Sequence, residues 1–430
     1  MGVGKLFANL FKSKEIRLRI LFTLGIFLVF RLGAALPAPN IDVDKLASLG
    51  TDNSVLNILN LVGGGQLQSF SIFAMGVGPY ITASIIIQLL SMDVIPALTE
   101  MSKSGQTGKM QLDRITRYLA IVLAFLQSAS MIYVFDHSNS IILNSSFSNY
   151  AYTAFVMSAG SMFLMWLGDQ ISQKGIGNGI SMIIFAGIVS NLPFSFKNTY
   201  QTLVAGAGTD ALFTGILYFI LYCMMYLIII ILVVFMQEAV RKIPIQYTSS
   251  TVSRGKDMNH LPLRINSASV IPVIFASAVM AAPLTILSFA NQTWYTRLLP
   301  YLQPSKPFGL GLYLVLIILF TFYYTELQID PEKMSENLAK NGSYIPGIRP
   351  GKETTDYLKK VLRRITVLGA IFLVFIAALP YVLPMVFPAL PSSTAIGGTG
   401  ILIVVGVALE TVRDLEGRIT QKSYKGFIDR

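Results

Sequence analysis

Ten long apolar stretches, separated by polar segments, constrain this chain more than any other feature of its sequence. A helix needs roughly 20 apolar residues to cross the hydrocarbon core of a bilayer. Apolar residues make up 53% of the 430 residues and charged residues 13%, against about 25% charged residues in a typical soluble domain. The pattern predicts an all-α, polytopic membrane protein with spans near residues 18–36, 71–91, 115–135, 152–170, 176–193, 211–236, 268–290, 308–328, 364–387 and 396–412.

The basic residues lie almost entirely on one side of these stretches. Of the 33 Lys and Arg residues, 28 fall on the alternate segments that include both termini, 4 fall on the other segments, and only Arg31 lies inside a span. Cytoplasmic loops carry the excess of Lys and Arg in membrane proteins, so both termini are predicted to be cytoplasmic. Two interpretations of the basic surface remain open: a topology signal that also attracts anionic lipid, or a docking surface for a partner.

The first span has an alternative interpretation as a cleaved signal peptide. It follows a basic start and precedes Ala34 and Ala35, which could form a cleavage site. Its length and the nine spans that follow favour a retained transmembrane helix.

The spans divide five and five, at the outer loop near 194–210. An odd number of spans in each half gives the two halves opposite orientations in the membrane. Two halves with opposite orientations are typical of an inverted repeat, in which a pathway lies between the halves. The sequence therefore predicts an N-terminal half over 1–195 and a C-terminal half over 196–430.

Residues 54–62 are apolar but too short to cross a membrane. Gly63, Gly64 and Gly65 follow and permit a sharp reversal of the chain. Irregular backbone at membrane depth is tolerated only inside protein or beside a water-filled cavity. The segment is thus either a short helix folded into a cavity or an amphipathic helix on the outer surface.

Two inner loops, 237–266 and 329–359, are long and polar, and long loops in a compact membrane protein are usually functional or disordered. In the second loop, residues 346–351 alternate Pro and Gly around Arg349. Because Pro fixes φ and Gly permits turns, this pattern predicts a rigid, turned tip.

The sequence lacks residues that are typical of ion-coupled transport, nucleotide hydrolysis and metal binding. None of the 22 acidic residues lies near the middle of a predicted span, whereas ion-coupled transporters commonly carry a carboxylate there. No phosphate-binding loop of the GxxxxGK[ST] type is present, which excludes nucleotide hydrolysis by this motif. Cys223 is the only cysteine, and His137 and His260 lie on opposite sides of the membrane, so neither a disulfide nor a His-based metal site is expected.

Two pairs of β-branched residues suggest a possible constriction. Val77 and Ile81 share one helical face, as do Ile180 and Ile184, each pair four residues apart. Such pairs usually face lipid or pack against other helices. Only if several such faces converged on one axis would they form a hydrophobic gate, which excludes water and ions.

Irregular runs along the whole chain resemble the SecY family, the central subunits of bacterial protein-conducting channels. The runs are FRLG (30–33), PAP (37–39), GPYITASI (78–85), QLL (88–90), MWLG (165–168), GIGNGIS (175–181), RKIP (241–244), HLPLRIN (260–266), VIP (270–272) and PGIRPG (346–351). The resemblance implies ten transmembrane helices in two inverted five-helix halves around a central hourglass pore.

The resemblance also implies roles for individual residues, in four groups. The pore ring would be Val77, Ile81, Ile180, Ile184, Ile274 and Ile403. The plug and its hinge would lie in 54–65, with Leu56, Leu59, Gly63, Gly64 and Gly65. The lateral gate, which admits signal sequences, would include Thr82, Ile85 and Gln127. The docking residues would be Arg241, Lys242, Arg254, Lys256 and Arg349.

The function implied is a non-enzymatic channel of the bacterial plasma membrane. It would pass unfolded secretory proteins outward and release membrane proteins sideways into lipid. The implied partners are the SecE and SecG membrane subunits, the SecA ATPase, a translating ribosome, signal sequences and anionic lipid, and no cofactor or metal is implied. A secondary transporter of small solutes, and then a membrane enzyme, are the alternative functions.

Overall fold

The computed structural model describes residues 13–42, 70–91, 94–139, 142–143, 146–205, 212–247, 259–288, 301, 304, 306–386 and 398–428. The predicted plug segment 54–65 lies outside these residues. The helices within them are α1 (Lys14–Ala35), α2 (Gly78–Leu90), α3 (Pro96–Lys103), α4 (Gly105–Asn139), α5 (Phe147–Lys174), α6 (Gly179–Tyr200), α7 (Leu212–Glu238), α8 (Ile271–Ser288), α9 (Pro307–Gln328), α10 (Pro331–Lys340), α11 (Lys352–Val386) and α12 (Gly398–Ile428).

Seven helical segments in the described part of the chain are long and apolar enough to cross a membrane. They contain α1, α4, α5, α6, α7, α9 and α11, and two shorter apolar helices lie at Gly78–Leu90 and Ile271–Met280. Helix α12 is apolar up to Leu409 and charged from Glu410 onward. The chain is therefore a mostly helical, multi-pass membrane protein, as the apolar pattern predicted.

The second predicted span, 71–91, is helical only from Gly78 onward. The preceding segment, 70–77, forms turns, with positive φ at Phe70 and Gly76. Neighbouring chain satisfies its backbone: Ala38 N donates to the Phe70 carbonyl and Ile72 N to the Leu36 carbonyl. Backbone that is not helical can lie at membrane depth when protein satisfies it in this way. The helix is therefore shorter than the apolar stretch predicted as the second span.

The helices contact one another in two groups. The first comprises α1, α2, α4, α5 and α6, and the second comprises α7, α8, α9, α11 and α12. Among the described helices of the two groups, α8 contacts α2 and α4 at one seam, and α12 contacts α6 at another. One hydrophobic cluster includes side chains from both groups and lies between them.

The segments that follow α7 and α10 form a three-stranded antiparallel sheet in the order β2-β1-β3. The strands are β1 (Val240–Tyr247), β2 (Asn259–Arg264) and β3 (Ser343–Tyr344). In the pairing of β1 with β2, Val240 lies opposite Arg264 and Ile245 lies opposite Asn259. Strand β3 pairs with the C-terminal end of β1. The sequence predicted polar loops here, so the all-α class omits this sheet. The strands form because Ile243, Ile245 and Leu263 alternate with exposed residues and bury one face.

Small residues allow segment 70–77 to approach α1 and α5. A Cβ on Gly160 would overlap the Ile72 carbonyl oxygen, and a Cβ on Gly33 would overlap the ring of Phe73. The Ser161 hydroxyl donates to the Gly76 carbonyl at 2.7 Å. These contacts fix the segment that leads into α2.

We predict that Gly160→Ala destabilises the folded protein by about 1–3 kcal/mol, because the added methyl forces the Ile72 backbone away from α5. Gly25→Ala is the matched control, since Gly25 is also helical and has nothing within 4 Å of its Cβ position. Thermal unfolding in detergent measures both variants. Equal melting temperatures for the two would contradict the proposed packing of segment 70–77.

Candidate functional site

The six residues of the predicted ring belong to one hydrophobic cluster that includes side chains from both helix groups. Val77, Ile184 and Ile403 are 2%, 5% and 2% exposed, while Ile81, Ile180 and Ile274 are half-buried against the same cluster. They come from the start of α2, from α6, from α8 and from α12. The fold therefore brings together residues that are up to several hundred positions apart in sequence.

The run 175–181 fixes the start of α6, which carries Ile180 and Ile184. The Asn178 side chain accepts hydrogen bonds from the amides of Ile180 and Ser181 and so caps the helix. A Cβ on Gly179 would overlap the Gly168 carbonyl oxygen of α5, and Gly177 has φ of 70°. The glycines of this run therefore permit a turn and a close approach that other residues would prevent.

The same run ties α1 to α12, a contact between the two groups that the sequence did not predict. The Arg19 guanidinium donates to the Gly175 carbonyl at 3.3 Å, and the Gly177 amide donates to Asp414 Oδ2 at 3.3 Å. Ile16, Ile176 and Leu415 form a small hydrophobic cluster beside these bonds. The glycines of this run predict a turn, but nothing in the sequence identifies the residues of α1 and α12 that contact it.

Three charged residues in or near the predicted spans have partners within the protein. Arg117 on α4 and Asp169 on α5 form an ion pair at 2.9 Å. Arg31, the single basic residue inside a predicted span, donates to the Ser190 hydroxyl on α6 at 3.3 Å. Both contacts join helices of the first group and reduce the cost of holding charge near lipid.

The predicted lateral-gate residues lie on α2 and α4, the two helices of the first group that α8 contacts. Ile85 is 3% exposed, and Thr82 and Gln127 are half-buried. The Thr82 hydroxyl donates to the Gly78 carbonyl of its own helix at 3.1 Å. This bond satisfies the hydroxyl within α2 and not across the seam.

The two docking loops form one structural unit, which the sequence did not predict. Residues from both loops and from the start of α11 share one hydrophobic core, which comprises Ile243, Ile245, Leu263, Ile345, Leu358, Leu362 and Ile365. Lys359 on α11 also pairs with Glu332 on α10 at 2.9 Å. We call this set of elements, β1–β3, α10 and the first turns of α11, the docking unit.

The docking unit carries Arg241, Lys242 and Arg349 on its surface, all of them exposed. Arg254 and Lys256 lie outside the described residues, as do Leu56, Leu59, Gly63, Gly64 and Gly65 of the predicted plug and hinge. A shared core holds the two basic sites at fixed positions relative to each other.

A buried glutamine joins the base of the docking unit to the helix that carries Ile403. Gln237, three residues before β1 and near the end of α7, is 7% exposed and donates through Nε2 to the Leu402 carbonyl at 3.4 Å. Arg413 in turn donates to the Gln237 carbonyl at 3.3 Å. Because Leu402 precedes Ile403, this contact is one residue from the ring.

Arg264, at the end of β2, lies near the charges of α12. Partial burial lowers the pKa of its guanidinium, as does the nearby Arg413, and Glu410 opposes both effects. An arginine remains protonated in proteins despite such a shift. The docking unit therefore keeps a positive charge where it meets α12.

The comparisons with known proteins agree with this arrangement. Residues 71–412 match the sequence model of the SecY family. The protein translocase subunit SecY of Staphylococcus carnosus is 45% identical over 430 residues, covering 98% of this chain and 98% of the relative. That of Staphylococcus aureus is 46% identical over 425 residues, covering 97% of this chain and 98% of the relative.

Solved structures share the fold at low sequence identity. The structure of a protein-conducting channel matches with a TM-score of 0.63 and 19% identity, covering 93% of this chain and 91% of that one. A channel from the canine ribosome–channel complex of the endoplasmic reticulum matches with a TM-score of 0.60 and 18% identity over the same shares. The family match over most of the sequence, and the 45% identity along nearly its whole length, show that the chain belongs to the SecY family.

Proposed function

We propose that this chain is the channel subunit that passes unfolded secretory proteins outward across the bacterial plasma membrane and releases apolar segments sideways into lipid. The observation that carries the proposal is that six uncharged, branched side chains from both helix groups belong to the same hydrophobic cluster. Curated relatives named protein translocase subunit SecY support the same function. The excess of basic residues on the segments that include both termini supports cytoplasmic termini.

The architecture proposed is ten spans in two inverted halves, 1–195 and 196–430, around an hourglass pore. Seven long apolar segments, two shorter apolar helices and the apolar start of α12 supply ten elements. The two groups of contacting helices correspond to these halves. Contact between them at two seams, with an apolar cluster in between, supports a pathway at their interface.

In this architecture the ring Val77, Ile81, Ile180, Ile184, Ile274 and Ile403 is the waist of the pore. A hydrophobic constriction resists water and ions because neither gains compensating contacts when it enters. Its side chains offer no hydrogen bonds, so they do not select one passing sequence over another. A chain that fills the waist can replace the side-chain contacts that are lost when the ring opens.

Lateral release would use the seam between α8 and the pair α2 and α4, with Thr82, Ile85 and Gln127 facing an arriving signal sequence. The Thr82 hydroxyl need not lose a hydrogen bond when the seam opens, because it bonds within its own helix. We further propose that residues 54–65 act as the plug below the waist and that Gly63, Gly64 and Gly65 are its hinge.

The chain itself performs no covalent step in this mechanism. Force would come from the SecA ATPase, from a translating ribosome or from the proton-motive force, and SecE and SecG would complete the membrane complex. Arg241, Lys242, Arg254, Lys256 and Arg349 would contact the motor or the ribosome. Exposure of the described basic residues on one rigid unit supports such contacts, and the same charges would attract anionic lipid.

We predict that Ile184→Ser or Ile403→Ser raises the resting ion conductance of the reconstituted channel, because a hydroxyl at the waist favours water entry. Two controls separate this effect from general damage. Ile184→Leu keeps the waist apolar, and Leu221→Ser places the same hydroxyl on α7, where Leu221 is 48% exposed. Planar-bilayer currents provide the measurement. Unchanged current in both ring variants would refute the proposal that these side chains seal the resting channel.

We predict that Arg349→Glu lowers motor-driven export by about tenfold or more, because it puts a negative side chain in place of an arginine at the proposed interface. The channel should still insert into membranes. Lys352→Glu is the control, with the same charge change three residues away at another exposed position. Export into vesicles reconstituted with a SecA-type motor measures both. Export by Arg349→Glu at the rate of the control would refute the docking role of Arg349.

A further inference from the structure

The loop that presents Arg349 makes few hydrogen bonds within its own backbone. Pro346 and Pro350 have no amide hydrogen, and Gly347 and Gly351 have φ of 82° and 104°. Within the loop, the Ile348 amide donates to the Ile345 carbonyl at 3.1 Å. The loop's other carbonyls must therefore bond to the surrounding protein or to water.

Two buried hydroxyls bind the backbone of this loop from different helices. Thr354, in the first turn of α11, is 3% exposed and donates to the Arg349 carbonyl at 2.8 Å. Ser335 on α10 is 4% exposed and donates to the Gly351 carbonyl at 3.0 Å. Both donors are held in the docking unit, so the loop is attached on both sides of Pro350.

The side chain of Arg349 depends on these backbone contacts for its orientation. It is exposed, and its guanidinium forms no hydrogen bond or ion pair with the part of the chain that the structure describes. Its backbone, in contrast, is restrained by the Thr354 bond and by the fixed φ of Pro350. The restrained peptide thus sets the direction in which the Arg349 side chain leaves the backbone.

We propose that Thr354 is a positioning residue whose buried hydroxyl orients the Arg349 tip for the motor, with Ser335 as the second anchor. The inference rests on the docking function proposed above for Arg349. A tip held in its bound conformation loses less conformational freedom when a partner docks, and this pre-organisation strengthens docking. The alternative is that the two hydroxyls only stabilise the fold.

Matched substitutions on one helix separate these roles. Thr354→Val keeps the shape and removes the hydroxyl, whereas Thr354→Ser keeps the hydroxyl. Thr366→Val is the control, because Thr366 lies on the same helix, is 4% exposed and donates at 2.8 Å to the Leu362 carbonyl within the helix. Melting temperature in detergent reports the structural cost of each change, and Ser335→Ala provides an independent test of the second anchor.

We expect Thr354→Val to lower motor-driven export about fivefold to tenfold, because this is the effect that the loss of one buried hydrogen bond has on an equilibrium. Thr354→Ser and Thr366→Val should stay near the parent rate. The Ile348 amide should exchange with deuterium faster in Thr354→Val than in Thr366→Val, with no motor present. In an Arg349→Ala background, Thr354→Val should have no further effect on export, because its action passes through Arg349.

Three results would overturn the inference, and they can be told apart. Equal export by Thr354→Val and Thr366→Val, alongside a defect in Arg349→Ala, would refute positioning and leave the docking role intact. Parent-level export by Arg349→Ala would refute the docking role and the inference with it. A further loss from Thr354→Val in the Arg349→Ala background, matched by a lower melting temperature, would assign Thr354 to the stability of the fold.

Discussion

The apolar contact between side chains of the two helix groups is the interaction on which the rest of this structure depends. In a membrane, apolar contact between helices gains little from the hydrophobic effect, because lipid tails are equally apolar. The central cluster therefore depends on close packing and shape. Val77, Ile184 and Ile403 are nearly fully buried in it. A contact of this kind can seal when the groups meet and can separate without leaving charges unpaired.

Polar contacts hold the frame around this cluster. The carbonyls and amides of run 175–181 tie α1 and α12 together, and the Gln237 side chain reaches the backbone beside Ile403. The docking unit has a hydrophobic core of its own and adjoins α7 directly. The described part of the molecule thus combines an apolar central contact with hydrogen bonds that hold the helices around it. The division suits a channel whose waist must change while its docking surface stays in place.

Sequence predicted the helical membrane class well because apolar length and the distribution of Lys and Arg reflect the bilayer directly. The sequence predicted local structure less well where contacts with distant segments determine it. Residues 70–77 are apolar enough for a helix, yet bonds from neighbouring segments and Ser161 hold them in turns. Strands β1 and β2 were not predicted, since Pro244 and Pro262 disguise a short alternating pattern.

The candidate site shows the same limit. Spacing related Val77 to Ile81 and Ile180 to Ile184, but nothing in the spacing of residues indicates that Ile274 and Ile403 join them. Only the resemblance to a family supplied that grouping, and the shared cluster supports it. The buried hydroxyls of Thr354 and Ser335 had no sequence signal, because their acceptors are backbone carbonyls of another segment.

Site-specific cross-linking to a stalled secretory chain tests the central claim most directly. Cysteines would be placed one at a time at the six ring positions and at exposed apolar positions such as Leu221 and Phe235, in a chain with Cys223 replaced. A thiol-reactive group on the stalled chain should link to each ring position and to neither control. Linkage to the exposed positions, with none at the ring, would contradict an apolar waist between the two helix groups.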